Sequence, residues 1–283
     1  MALLPPFYLD CVVAIGITGT NHLTAWIGTG FFYGFPCGKN EKGEQLYWVY
    51  LVTNKHVIGD QREVMVRLNP TSKENGRDFP LVLKDDAGKP TWHTHPDTSI
   101  DLAVQRINVS VLNQHAMKFS FFEEDHHVTM RPSLANGALS EGDPVFTLGF
   151  PMGHVGTDRL YAICRQGIIA RCRDWFDGKG KEILIDASVF PGNSGGPVIS
   201  SIYPASINGT NARNLSALIG VVQSYIQYQD IAVSQQTRRP RIIFEENSGL
   251  ASVIPIDFVH EIIAPLHAES ELPLSGSGQL PRG

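Results

Sequence analysis

Cysteine is scarce. Four thiols, Cys11, Cys37, Cys164 and Cys172, are spread over 283 residues. Their spacing matches neither a compact disulfide scaffold nor a C-x-x-C zinc site, so four free thiols in a reducing compartment are expected. No stretch approaches the roughly 18 apolar residues that a membrane-spanning helix needs. Basic charge is not in surplus either: 23 Lys and Arg stand against 28 Asp and Glu, a formal charge of -5. Nucleic acid and anionic membranes select clustered positive surface, so neither is expected as a main partner. The first ten residues lack the positive start, long apolar stretch and small-residue cleavage site of a secretory signal, and a cytoplasmic location is the expectation.

What is present is β-type patterning. Hydrophobic residues make up 42% and charged residues 18%, the composition of a chain that buries a core. Runs rich in Val, Ile, Phe and Tyr, broken by Gly, Pro, Asn or Asp, predict about a dozen strands. The first set is Cys11–Ile17, Thr24–Tyr33, Leu46–Thr53, Glu63–Leu68, Phe79–Lys84 and Asp101–Ile107. The second is Pro144–Phe150, Leu160–Ala170, Lys181–Val189, Gly196–Ser201, Ala217–Ile226 and Ala251–Ile256. The fold class is therefore all-β, barrels or sandwiches. One helix is predicted over 256–266, with Val259, Ile262, Ile263 and Leu266 on its buried face and Pro255 at its start. Residues 108–143 carry no clear pattern and separate two halves of similar strand content. The predicted organisation is 1–120, 121–268 and a Gly-, Ser- and Pro-rich flexible tail at 269–283.

The strongest local signal runs from Phe190 to Pro197 and centres on Gly192-Asn193-Ser194-Gly195-Gly196. A serine nucleophile needs its hydroxyl exposed on a tight turn, with backbone N–H groups aimed where an oxyanion forms. Gly192 permits the backbone that turns its own N–H inward, and the glycines after Ser194 let a substrate chain approach. A serine also needs a base. His56 follows the apolar strand that ends at Thr53, and Asp101 opens a second strand where its carboxylate can hold an imidazole. Each signal alone has an ordinary structural explanation, since the chain has ten histidines and many turns. The order His, Asp, Ser, with the first two in one half and the third in the other, makes them one constellation.

That order resembles the trypsin-like serine peptidases, and the flanking residues resemble the protease domain of the bacterial HtrA/Deg group. The similarity is carried by Gly28-Thr29-Gly30-Phe31, by Leu51-Val52-Thr53-Asn54-Lys55-His56-Val57 and by Leu148-Gly149-Phe150-Pro151-Met152-Gly153. It continues through Gln166-Gly167-Ile168-Ile169-Ala170, Ile185-Asp186-Ala187-Ser188, the Ser194 segment, Leu218-Ile219-Gly220-Val221 and Val253-Ile254-Pro255, covering about residues 10–266. The resemblance implies two six-stranded antiparallel β-barrels with a cleft between them, followed by the C-terminal helix. It also implies peptide-bond hydrolysis by His56, Asp101 and Ser194, an oxyanion hole from the N–H groups of Gly192 and Ser194, and no cofactor or metal. Substrates would be proteins or peptides, with a regulatory protein partner as one means of restraint.

The specificity pocket it implies is built by Ser188 near the base, by Gln223, Ser224 and Tyr225, and by Ala251–Val253. With no acidic residue at the base, a modest apolar side chain is expected on the acyl side of the cut. Relatives place Ser or Thr beside the triad aspartate; here either Gln223 or, after a one-residue slip, Ser224 takes that position. The tail is too short for a PDZ domain, and no N-terminal activation site is evident. A catalytically silent peptide-binding module is the alternative function. His93, His95, His126 and His127 are expected in solvated loops rather than on a metal, and Thr237–Arg241 in an exposed loop.

Overall fold

The computed structural model describes residues 3–202, 212 and 214–268, so the expected tail at 269–283 lies outside the described residues. Strands follow the apolar runs closely. The N-terminal half contains β1 (Val12–Thr18), β2 (Thr24–Lys39), β3 (Gln45–Thr53), β4 (Glu63–Pro70), β5 (Arg77–Val82), β6 (His93–Thr94), β7 (Ala103–Arg106), β8 (Met117–Lys118) and β9 (Phe122–Glu123). The C-terminal half contains β10 (Pro144–Gly149), β11 (Ile163–Arg171), β12 (Ile183–Asp186), β13 (Pro197–Ser200), β14 (Ala217–Val233) and β15 (Pro240–Pro255).

The C-terminal strands close into a six-stranded barrel in the order β10-β11-β12-β15-β14-β13, every ladder antiparallel. The N-terminal strands form one nine-stranded sheet, β5-β4-β1-β2-β3-β7-β6, with β8 on β4 and β9 on β2. This differs from a second closed six-stranded ring. Side chains span the gap between its ends: Gln105 Nε2 and Thr91 Oγ1 both donate to the Val82 carbonyl, at 2.9 and 2.8 Å. Pro80 inside β5 has no N–H to offer a ladder, which suits an edge strand.

Alternation along the strands feeds three apolar clusters. Phe32, Val49 and Leu51 point into the N-terminal sheet, whereas their neighbours Phe31, Tyr33, Tyr50 and Val52 point the other way. That second set meets Phe146, Leu148, Leu218 and Ile254 and makes a core shared by the two halves. Ile169, Ile183, Ile185, Val198 and Val253 fill the barrel. Burial on both faces explains why β2 and β3 read as continuous apolar runs rather than as clean alternations.

The C-terminal helix spans Asp257–Ile263, with Val259, Ile262 and Ile263 buried as expected. Leu266 departs from expectation and is 38% exposed. Pro265 cannot donate to the ladder, so the helix stops and a separate turn, Pro265–Ala268, carries Leu266 off the face. The larger difference concerns β14 and β15. Each runs well past its predicted limits, and together they form a long hairpin whose turn holds Thr237 and Arg238.

Candidate active site

His56 is placed by the end of β3. The strand stops at Thr53, Asn54 turns the chain, and Lys55–Ile58 form one helical turn that buries Val57 and Ile58. His56 therefore faces outward, with its side chain half exposed. Asp101 comes from the loop before β7, between the buried Ile100 and Leu102. Its carboxylate receives His56 twice: the backbone N–H donates to Oδ1 at 3.1 Å, and Nδ1 makes a short contact with Oδ2. A carboxylate only accepts, so Nδ1 is the donor in this contact.

Three residues steady Asp101 and the loop that leads to it. Buried Asn54 donates from Nδ2 to the Asp101 carbonyl at 2.8 Å. Lys55 Nζ donates to the Thr98 carbonyl at 2.8 Å. Lys181, from the C-terminal half, reaches Asp97 at 2.5 Å and Ser99 Oγ at 3.1 Å. Lys181 and Ser99 hold the Asp97 carboxyl well below the usual range.

The Ser194 loop can be accounted for group by group. The Pro191 carbonyl accepts from the Met152 N–H at 2.6 Å, and the Asn193 N–H closes a turn on the Phe190 carbonyl at 3.0 Å. The Gly192 carbonyl accepts from Thr29 Oγ1 at 2.7 Å. The carbonyls of Asn193 and Ser194 accept from the N–H groups of Gly196 and Thr29, both at 2.9 Å. Over 191–194 two backbone donors are left, the N–H groups of Gly192 and Ser194, and among the described residues neither has a partner. Since C=O and N–H point in opposite directions across a trans peptide, fixing Pro191 O on Met152 turns the Gly192 N–H the other way. Gly192 has φ +96°, and a Cβ there would collide with the Phe150 carbonyl. Only glycine suits this position.

Thr29 is the hub of this arrangement and was not singled out by sequence reasoning. It is fully buried and ties three segments together. Its hydroxyl donates to Gly192 O and accepts from the Phe150 N–H at 3.1 Å, while its carbonyl takes the Thr53 hydroxyl at 2.7 Å. Asn54 and Met152 were missed too, although all three lie inside motifs already noted. Met152 is a non-glycine residue at φ +55°, a costly backbone that here aims its N–H at Pro191.

The hydroxyl of Ser194 donates to the Gln223 carbonyl at 3.0 Å. The structure thus joins His56 to Asp101 directly, with the Ser194 proton resting on β14. The open choice between Gln223 and Ser224 beside the aspartate has a different outcome. Among the described residues neither side chain bonds Asp101: Gln223 Oε1 accepts from Ser252 Oγ at 3.4 Å, and Ser224 is exposed. Of the expected pocket residues, Tyr225 pairs with Ala251 and packs on the barrel core. Ser188 is exposed, within a segment tied to β15 by Asn247 Nδ2 on the Val189 carbonyl (2.6 Å) and by Ala187 N–H on the Gly249 carbonyl (2.9 Å).

Of the other histidines, His93 and His126 are exposed as expected, whereas His95 and His127 are half-buried. His95 Nε2 contacts Glu261 at 3.0 Å, and His127 accepts the Glu123 N–H at 3.0 Å while packing on Phe7. Burial pushes the His127 pKa down. Both are drawn into packing by aromatic neighbours, Phe258 for His95 and Phe7 with Tyr8 for His127. All four cysteines are free, and Cys11 and Cys172 are buried.

A mostly β protein with a closed barrel, a carboxylate-held histidine and a serine loop offering two free N–H groups has the build of a trypsin-like peptidase. The family model described as "Trypsin-like peptidase domain" matches residues 28–202, more than half of the chain, and the chain belongs to that family. A protein named "Serine protease HtrA-like" from Staphylococcus aureus (strain bovine RF122 / ET3-1) is 25% identical over 233 residues, 74% of this chain and 25% of that protein. "Serine protease Do-like HtrA" from Lactobacillus helveticus is 29% identical over 171 residues, 59% of this chain and 33% of its own. "Probable periplasmic serine endoprotease DegP-like" from Chlamydia pneumoniae is 27% identical over 177 residues, 61% and 28%. The aligned part of the chain thus spans a quarter to a third of the length of these relatives.

Proposed function

We propose that the protein is a serine endopeptidase that cleaves proteins or peptides through an acyl-enzyme. His56 Nε2 removes the Ser194 proton as Oγ attacks the scissile carbonyl carbon, which requires the hydroxyl to rotate from Gln223 toward the imidazole. The oxyanion then accepts from the N–H groups of Gly192 and Ser194. His56 passes its proton to the departing amine, and Asp101 stays ionised while it stabilises the imidazolium. Water, deprotonated by His56, attacks the acyl carbon and releases Ser194.

The observation that carries this reading is the pair of unpartnered backbone N–H groups in a loop whose remaining backbone N–H, that of Asn193, and all four carbonyls over 191–194 are engaged. Backbone donors are rarely left idle, and two within three residues at a serine suit an oxyanion. On the acyl side, uncharged Ser188, Gln223, Ser224 and Tyr225 favour a small or medium apolar side chain, because an arginine or lysine would find no counter-charge. The second reading, a peptide-binding module without turnover, draws on the Ser194 hydroxyl resting on Gln223. A fluorophosphonate probe separates the two. Covalent labelling that Ser194→Ala and His56→Ala both abolish is expected; a folded parent protein that never labels would leave the binding module standing.

A further inference from the structure

The edge of β14 changes partner at the site. Over Ala217–Val221 it pairs with β13, and Val222 exchanges hydrogen bonds with Gly195 and Gly196. From Gln223 to Val233 no strand pairs with that edge among the described residues, while the opposite edge stays paired with β15 to the tip of the hairpin. The free edge begins at Gln223, the residue whose carbonyl holds the Ser194 hydroxyl. Eleven residues at about 3.3 Å each give an open edge of roughly 35 Å.

Exposed edges are normally defended by Lys, Pro or other charged residues. The β15 edge follows that rule, with Pro240, Arg241, Glu245 and Glu246. The β14 edge does not: across 223–233 its only charged residue is Asp230, with neither Lys nor Pro. The ribbon also leaves Tyr228, Ile231, Val233, Ile242, Ile243 and Phe244 between 48 and 58% exposed. A two-stranded ribbon with this much bare apolar surface gains from a third strand.

The geometry points to a long docking edge for the substrate itself: β14 binds the extended chain upstream of the scissile bond over about ten residues, as an added antiparallel strand. This inference rests on the peptidase reading above. In that reading Gln223–Tyr225 face the acyl side, so the upstream chain lies along β14. It runs toward Ser194 while β14 runs away from it, and the pairing is therefore antiparallel. The substrate class follows from the ribbon. It is an unfolded or extended polypeptide with β-prone apolar residues about five to nine positions before the cut. Acidic residues further upstream would meet Arg238, Arg239 and Arg241 at the tip. Asp230, Glu245 and Glu246 disfavour acids at the intermediate positions.

The test uses the full chain and peptides that share one cleavage sequence but carry three, six, nine or twelve upstream residues. Expected is a rise in kcat/KM of at least tenfold between three and nine residues. In a shortened variant, 228–246 are replaced by Asn-Gly joining Gln227 to Asn247, and there the ratio of long to short falls toward one. Equal rates across the series in the parent protein would overturn the proposal whether or not the variant folds. Binding separates it from the peptidase reading: on Ser194→Ala, labelled peptides of upstream sequence alone should gain affinity with length and protect the amides of 223–233 from hydrogen exchange. Length-dependent binding without turnover keeps the edge and removes the catalysis; turnover without length dependence does the reverse. A dimer in sedimentation that the shortening dissolves and long peptides leave intact would assign the edge to a second copy, against the proposal.

Discussion

Replacing Thr29 by valine removes one hydroxyl and almost no volume, yet two segments lose their tie. The Gly192 carbonyl loses its 2.7 Å donor and the Phe150 N–H loses its 3.1 Å acceptor, at a side chain with no solvent exposure. Leaving a buried polar group unpaired costs about 1–3 kcal/mol, so two cost about 2–6 kcal/mol before relaxation. With partial relaxation about 3 kcal/mol remains, a fall in Tm of roughly 5 °C for a chain of this size. The kinetic consequence is separate. Once Gly192 O is released, the 192–193 peptide is held only by the Asn193 N–H on Phe190 O, and Met152 on Pro191 O is left alone to aim the adjoining Gly192 N–H. Removing an oxyanion donor outright costs about 10²- to 10³-fold in kcat, so partial disorder should cost about 10- to 100-fold. Because the oxyanion exists only beyond the ground state, kcat and kcat/KM should fall together. Thr29→Ser keeps the hydroxyl and should stay within a few-fold of the parent. The assays are thermal unfolding and steady-state hydrolysis of one peptide by all three proteins. A valine variant with parental Tm and kcat would refute the role given to Thr29.

Other outcomes follow from the same contacts. Asn54→Leu deletes the donor to the Asp101 carbonyl and should lower kcat about tenfold by loosening the His56 pair, with Asn54→Gln no better because its amide is displaced by a methylene. The His260 pKa is raised, chiefly by its hydrogen bond to Glu124 and further by Asp257 and Glu261. Its stabilisation is therefore complete below about pH 6.5 and fades as pH rises through the folded-state value. The Tm difference between parent and His260→Gln should shrink over that range, whereas a constant difference would exclude the ion pair as its source. Burial, helped by the Glu141 carboxylate, pushes the Cys172 thiol up to about 12, and burial raises Cys11 as well. Iodoacetamide at pH 8 should spare both in the folded protein and reach exposed Cys164 first, as peptide mapping would show.

Sequence reasoning located strands wherever burial leaves a pattern. All twelve predicted runs overlap observed strands, because Phe31 to Tyr33 or Ile183 to Ile185 must be apolar to fill the clusters they enter. It also singled out His56, Asp101 and Ser194, since the chemistry proposed for them needs particular side chains, and the structure puts the first two in contact. Where backbone atoms form the contact, legibility drops. Met152 acts at Pro191 through its N–H, which every residue except proline possesses, so nothing in its side chain announces the contact. Thr29 acts through a hydroxyl, but threonine is common in strands and only the fold shows that Gly192 and Phe150 converge on it. The long hairpin was missed for the opposite reason. Residues 226–247 are bathed in solvent on both faces, so no core imposes an alternation of apolar and polar residues, and Thr237–Arg241 read as a surface loop. The β-prone residues were visible in Tyr228, Ile231, Val233 and Ile242 to Phe244. What a single chain could not supply was a buried face, and a segment rich in such residues without one has to find its third strand outside itself.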